Sequence, residues 1–447
     1  MTVRVPEHER LSLGNGVALI LVPRRDVPLV AFNAILRGGG VGDPASRPGV
    51  ASLVAGLLEK GAGERNAYAF ADVVEGVGGS FGAGATPEAI TVRGQFLARD
   101  QQLMMELLAD ALLRPLLEGE ELEELAARHI ELIKAAKDSD PSELIGTYGR
   151  RFLFGDHPYG SPVLGSEASL AAIDREDVQR YYDGQFGGER LILVLAGDID
   201  ADLVARMAAD SFSRWPRAPA PRPALARARA RAGRRVLLVD SPGSAQTYFW
   251  IGSVGVDRRY PRRAALDLVN TLFGGRFTSL LNSELRIKSG LSYGARSSFA
   301  RGTVPGEFSL RSFAQTDNTG RAIDLALHTL ERLGREGVTR PMLDSARAYT
   351  LGQYPLDLET AADWAAMLAE IELYGLGRSY IDEYPAQLAA VGVAEAHAVI
   401  EEAFPRADSV AIVAIGDAAR IRSAVGEYGP VSQMALTDPQ FQPQGES

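Results

Sequence analysis

Cysteine is absent from all 447 residues. That single absence excludes disulfide scaffolds, thiol nucleophiles and cysteine-ligated zinc or iron–sulfur sites. Histidine is scarce. His8, His129, His157, His328 and His397 are the five present, and no two fall within one helical turn. A helical histidine pair at i, i+4, the usual backbone of a zinc enzyme, cannot be built from them. Each reads as a surface or structural residue. Lysine is nearly missing: only Lys60, Lys134, Lys137 and Lys288 stand among 47 basic residues. The arginine and alanine bias suggests a GC-rich bacterial coding sequence. No stretch reaches the ~20 unbroken apolar residues of a membrane span. Positive charge is not in excess either. The formal net charge of −10 disfavours a nucleic-acid partner, since phosphate neutralisation needs a basic field. The one basic run, Arg227 to Arg235, lies in a Pro/Ala-rich stretch and reads as solvated linker.

Motifs for other chemistries are missing as well. There is no Gly-x-Ser-x-Gly elbow, no Walker-type phosphate loop and no dinucleotide fingerprint after a strand. Gly38-Gly-Gly-Val-Gly-Asp43 is glycine-rich, but without a Lys-Ser/Thr ending it reads as a turn. The first residues, MTVRVPEHERLSLGNG, show no charged start leading into an apolar core, so no signal peptide is visible. Compartment stays open between cytoplasm and, with a trimmed signal, periplasm. Residues from Asp438 onward read as a disordered end.

What is present is an ordinary globular composition, 46% hydrophobic and 23% charged, long enough for two to four domains. The chain also repeats itself. Ala18–Pro23 followed by Leu29–Ile35 matches Val236–Ser241 followed by Thr247–Ser253. Thr91-Val-Arg93 matches Ser309-Leu-Arg311, and Leu195–Asp198 matches Ala414–Asp417. All four landmarks keep one order at an offset of about 218 residues, the mark of an internal duplication. The divide falls in the proline-rich stretch Pro216–Pro223. The expected organisation is a first domain over 1–215, a linker over 216–234, a second domain over 235–433 and a flexible tail over 434–447.

Each half reads as strands joined by hairpins with helices grouped between them. Val50, Leu53, Val54, Leu57 and Leu58 make one apolar helical stripe. Gly78–Gly84 leads into a second strand at Ala89–Phe96, and Leu103–Leu113, Glu118–Lys137 and Ser142–Leu153 read as helices. The fold class is α+β: two homologous domains, each a mostly antiparallel sheet covered by helices.

The ordered landmarks Gly38–Pro44, Gly49–Gly61, His157-Pro-Tyr-Gly160 with Gly165, Gly197-Asp198 and Glu284–Tyr293 resemble the insulinase/pitrilysin-type zinc peptidases, which carry the inverted motif H-x-x-E-H. The resemblance spans about residues 10–425. It places the family's two zinc-binding histidines and catalytic glutamate on one helix face, at Ser52, Ala55 and Gly56 here. None of these can ligate zinc usefully or serve as base for a metal-bound water. The family's remaining glutamate ligand maps to Glu131. The plain alternative is a stripe of small residues for close helix packing.

The second half keeps the frame Leu-Arg-x-x-x-Gly-Leu-x-Tyr, with Arg286 and Tyr293. The resemblance implies that these two grip a substrate backbone and stabilise an oxyanion, acting in trans at a partner's zinc site. The plain alternative is a surface arginine paired with Glu284 and a core tyrosine. The chain thus resembles the zinc-free, non-catalytic subunit of the family's two-chain members. This implies inactivity alone, no metal or cofactor of its own, zinc in a paralogous partner carrying H-x-x-E-H, and unfolded peptides as substrate. The implied edge for peptide strand addition is near Gly79–Ala85, as a binding edge or as a vestige. The competing reading is a stand-alone peptide-binding or scaffold protein of the same fold.

Overall fold

The computed structural model describes residues 3–229 and 231–443. Ala230 in the arginine/alanine run and residues 444–447 of the expected tail lie outside the described residues.

The apolar runs of the first half fold into strands β1 (Glu9–Ser12), β2 (Ala18–Pro23), β3 (Leu29–Arg37), β4 (Ser80–Ala85), β5 (Ala89–Leu97) and β6 (Leu191–Gly197). They form one sheet in the order β1-β2-β6-β3-β5-β4. Every neighbouring pair is antiparallel except β2 and β6. Every residue of β6 is buried. Its unbroken Leu-Ile-Leu-Val-Leu-Ala-Gly is what a strand covered on both faces requires.

The second half repeats the plan with β7 (Arg235–Asp240), β8 (Gln246–Val254), β9 (Ala295–Phe299), β10 (Glu307–Gln315), β11 (Ala411–Gly416) and β12 (Val431–Ala435), ordered β9-β10-β8-β11-β7-β12. The central pairs correspond strand for strand, including the parallel pair β7–β11. The two sheets differ at one edge. The place beside β2 goes to antiparallel β1, while that beside β7 goes to parallel β12. The fold is α+β with two similar sheets, in line with the fold class read from the sequence.

The compact units are not contiguous halves. One comprises residues 1–132, 161–224 and 355–382, and the other 133–160, 225–354 and 383–447. Two helices account for the interleaving. The helix Ile145–Phe154 comes from the first half but packs on β8 and β11 of the second sheet. Its counterpart in the repeat, Ala361–Tyr374, packs on β3 and β6 of the first. In the first of these helices Gly149 lies against the buried Trp250, and a Cβ added there would sit 2.5 Å from the indole. The absent side chain lets helix and sheet approach closely. In the other helix, Ala365 and Ala369, one turn apart, are fully buried and serve the same purpose. Glu372 on it pairs with Arg10 through two hydrogen bonds of 2.8 and 3.0 Å.

The ends of the linker are fastened rather than free. Ala218 donates its N–H to the Glu189 carboxylate, and the fully buried Arg190 donates to the Ala220 carbonyl at 2.7 Å. In the other unit, His157 Nε2 pairs with the Ala226 carbonyl at 2.8 Å while Nδ1 accepts from the Tyr159 N–H. The segment read as a loose tail from 434 differs from that expectation as far as Pro443. Its start completes β12, and Phe441 is buried edge-on against Tyr148. Met434 and Leu436 are buried with it, and Lys137 donates to the Asp438 carbonyl at 2.7 Å and Arg151 to the Gln442 side chain at 2.6 Å.

Candidate functional site

The first candidate lies on α1 (Val50–Leu57). The glycine-rich turn ahead of it delivers Asp43, whose carboxylate accepts the N–H groups of Gly49 at 2.8 Å and Ala51 at 2.7 Å. The motif read as a turn is therefore also a helix cap. Ser52, Ala55 and Gly56 lie along the helix, with Ala55 fully buried. α2 (Gly119–Ser139), which carries Glu131, crosses this helix with Leu125 in contact. A Cβ on Gly56 would stand 2.6 Å from Leu125 Cδ2. The space into which a ligating side chain at 56 would project is thus filled by a leucine.

These residues do not fit zinc. Ala55 and Gly56 carry no donor atom, Ser52 is a poor ligand, and an apolar side chain occupies the adjacent volume. Among the described residues no group of three or more His, Asp or Glu could hold a metal ion. His129 on α2 is pushed toward its neutral form by burial and by neighbouring Arg128. Just past α1, burial pushes the Glu59 carboxyl up, while the N–H of Ala83 on β4 and the charges of Lys60 and Arg128 pull it back. β4 is one of the two edge strands of its sheet.

The second candidate is built in the other unit. After the helix Arg263–Asn270 the chain runs through two π-helical turns, Thr271–Gly275 and Ser283–Lys288. Such turns insert an extra residue and re-aim the side chains beyond it, and they concentrate at functional sites. The second carries Arg286. Asn282 fastens the region, donating to the Phe277 carbonyl at 2.7 Å and accepting from the Ala295 N–H at 3.3 Å. Tyr293 is held by its neighbours: the buried Ser292 hydroxyl donates to the Gly294 carbonyl and receives a 2.9 Å bond from Ser312. With Ser292 and Gly294 pinned, the tyrosine side chain turns outward and is 76% exposed.

Arg286 lies between two aromatic rings, its guanidinium carbon 4.6 Å from the Tyr293 centroid and 4.8 Å from that of Phe277. Glu284, the plain partner that sequence offered, is taken by Lys288 at 2.9 Å and Arg332 at 2.8 Å. Arg286 is left without a carboxylate among the described residues, and Tyr293 is not a core residue. Both line one open cavity of about 580 Å³. Arg276, Arg296, Arg311 and Tyr349 line it too. None of these four was named as a site residue from the sequence. Their convergence depends on strand register and on loops that no local pattern encodes.

The family model described as Insulinase (Peptidase family M16) matches residues 30–166, and one described as Peptidase M16 inactive domain matches residues 172–349. This chain belongs to the insulinase (M16) family. An uncharacterized zinc protease of Mycobacterium tuberculosis is 28% identical over 380 residues, covering 84% of this chain and 86% of its own length. The non-peptidase homolog YmxG of Helicobacter pylori is 23% identical over 337 residues, covering 75% and 77%. The solved structure of a peptidase M16 inactive domain from Pseudomonas fluorescens matches with a TM-score of 0.85 at 23% identity, covering 92% of this chain and 98% of that one. That likeness speaks to fold alone. Within the M16 family, this chain's α1 offers no zinc ligand where the family's inverted motif belongs.

Proposed function

We propose that this chain is the non-catalytic subunit of a heteromeric M16 zinc peptidase. In this reading Arg286 and Tyr293 grip the backbone of an unfolded peptide and donate to the developing oxyanion at a zinc site that another, H-x-x-E-H-bearing chain supplies. The observation that carries the reading is the Arg286–Tyr293 pair itself. It is offered to an open cavity with no carboxylate claiming the arginine, in a chain whose own α1 cannot supply the metal chemistry. Arginine gives a permanent planar fork and tyrosine one directed O–H donor. Donors aimed at a growing negative charge contribute roughly 2.7–4 kcal/mol each in well-studied oxyanion holes. The edge strand β4 is proposed as a second hold on extended peptide through its backbone groups.

The test pairs this chain with the M16 chain that co-purifies with it. Alone, it is expected to contain well under one zinc per chain by elemental analysis and to cleave no unstructured peptide. In the complex, Arg286→Ala and Tyr293→Phe are each expected to lower kcat about 100-fold or more, with the complex itself intact by size exclusion. Stoichiometric zinc in the isolated chain, or full activity in both variants, would overturn the reading.

A further inference from the structure

The same cavity carries more positive charge than a backbone grip needs. Four arginines line it, Arg276, Arg286, Arg296 and Arg311, and no aspartate or glutamate does. Two of them face one another. In the β9–β10 register Arg296 stands directly opposite Arg311. Like charges at directly opposed positions of an antiparallel pair are destabilising. Arg311 finds only a share of Glu307, at 3.7 Å, and that buried carboxylate is also 3.7 Å from Arg150. Arg296 has no ion-pair or hydrogen-bond partner among the described residues. Arg276 donates one N–H to the Ser345 carbonyl, but its Nε is buried without a partner. A fold whose net charge is −10 has carboxylates to spare, yet none lines this cavity.

We propose that this cavity selects a carboxylate of the bound peptide, with Arg276, Arg296 and Arg311 as specificity-determining residues beside the Arg286–Tyr293 grip. The inference rests on the peptide-gripping reading and deepens it: the substrate class becomes acidic rather than indifferent. An arginine fork meets a carboxylate with two parallel N–H···O bonds, and a carboxylate held among the three forks neutralises positive charge that the acid-free lining leaves uncompensated. The carboxylate is either an aspartate or glutamate side chain or a free C-terminus.

The experiment measures binding of fluorescent ten-residue unstructured peptides to the full chain at low salt. One peptide has a central glutamate and an amidated C-terminus. A second has glutamine there, also amidated. A third has glutamine and a free C-terminus. The glutamate peptide is expected to bind at least about 10-fold tighter than the amidated glutamine peptide, the size of one charge-assisted hydrogen bond. Tighter binding of only the third would assign the C-terminus instead, still in support of a carboxylate site. Arg296→Gln, on an exposed strand position, is expected to bring the glutamate peptide's affinity down to within a few-fold of the amidated glutamine peptide's. Arg286→Ala is expected to weaken all three peptides alike. Equal binding of the three peptides overturns the carboxylate inference and leaves the peptide grip standing. Binding of none overturns the grip as well. Displacement of the glutamate peptide by inorganic phosphate, at a concentration where acetate has no effect, would reassign the cavity to phosphate.

Discussion

Asp43 holds the first turn of α1 through two backbone N–H groups, and it does so while half-buried. Burial pushes its carboxyl up to about 7, against the pull of the Gly49 and Ala51 donors. Tyr181 beside it donates to the Gly39 carbonyl at 2.9 Å, and its phenol is pushed far up by burial and by Asp43. The folded-state value thus lies above the unfolded one, and the folded state holds the proton more tightly. The group's contribution is fully present below the unfolded value near 4 and is lost as pH rises toward about 7. The stability advantage of the wild-type chain over Asp43→Asn is therefore expected to shrink between pH 4 and pH 7, by on the order of 2–4 kcal/mol. Urea midpoints of the two proteins across that range check it, and an advantage that grows with pH would contradict it. The glycine-rich turn was legible in sequence, but its role as a cap was not. Nothing in Gly38–Asp43 announces which helix the carboxylate will reach. At the same scale, the nine-residue frame named Arg286 and Tyr293, and the structure stacks them at one cavity. Leu125 was not, because its meeting with Gly56 joins two helices far apart in the chain.

The helix Ile145–Phe154 shows how an element can be read correctly and still be misplaced. Its periodicity marks it as helical, and its two glycines at Gly146 and Gly149 argue for a close approach. The sheet it approaches depends on pairing across about a hundred residues, and the structure gives it to the second sheet. Gly149→Ala improves intrinsic helix propensity by roughly 1 kcal/mol, yet its new methyl meets the indole of Trp250. A net destabilisation of ~1–3 kcal/mol is expected from overpacking. Gly352→Ala is the matched control, since that helical glycine has nothing within 4 Å. It is expected to leave stability unchanged or raise it by up to about 1 kcal/mol. Thermal unfolding of the pair checks both signs, and two variants moving in the same direction would remove the packing account. Register hid the arginine cluster in the same way. Arg296 and Arg311 are unremarkable until β9 and β10 are aligned.

For the molecule as a whole, the duplication was visible as one recurring offset, while the trade of equivalent helices between the repeats was not. Offsets report local resemblance, and a trade leaves them untouched. The trade makes each unit depend on both halves of the chain. Residues 1–224 made alone lack Ala361–Tyr374, and residues 225–447 made alone lack Ile145–Phe154. Each fragment is expected to bind ANS strongly and to lose near-ultraviolet circular dichroism, while the intact chain unfolds in one calorimetric transition. Two well-separated transitions, or two natively folded fragments, would show that the units are independent. The same feature sets a schedule for synthesis. The last strand of the first sheet has left the ribosome once Gly197 emerges, but the helix that roofs β3 and β6 does not begin until Ala361. Through that interval a broad apolar face waits uncovered in the cell. The nascent chain is thus a natural client for a holdase, and a ribosomal pause in the second half would be more hazardous than one in the first.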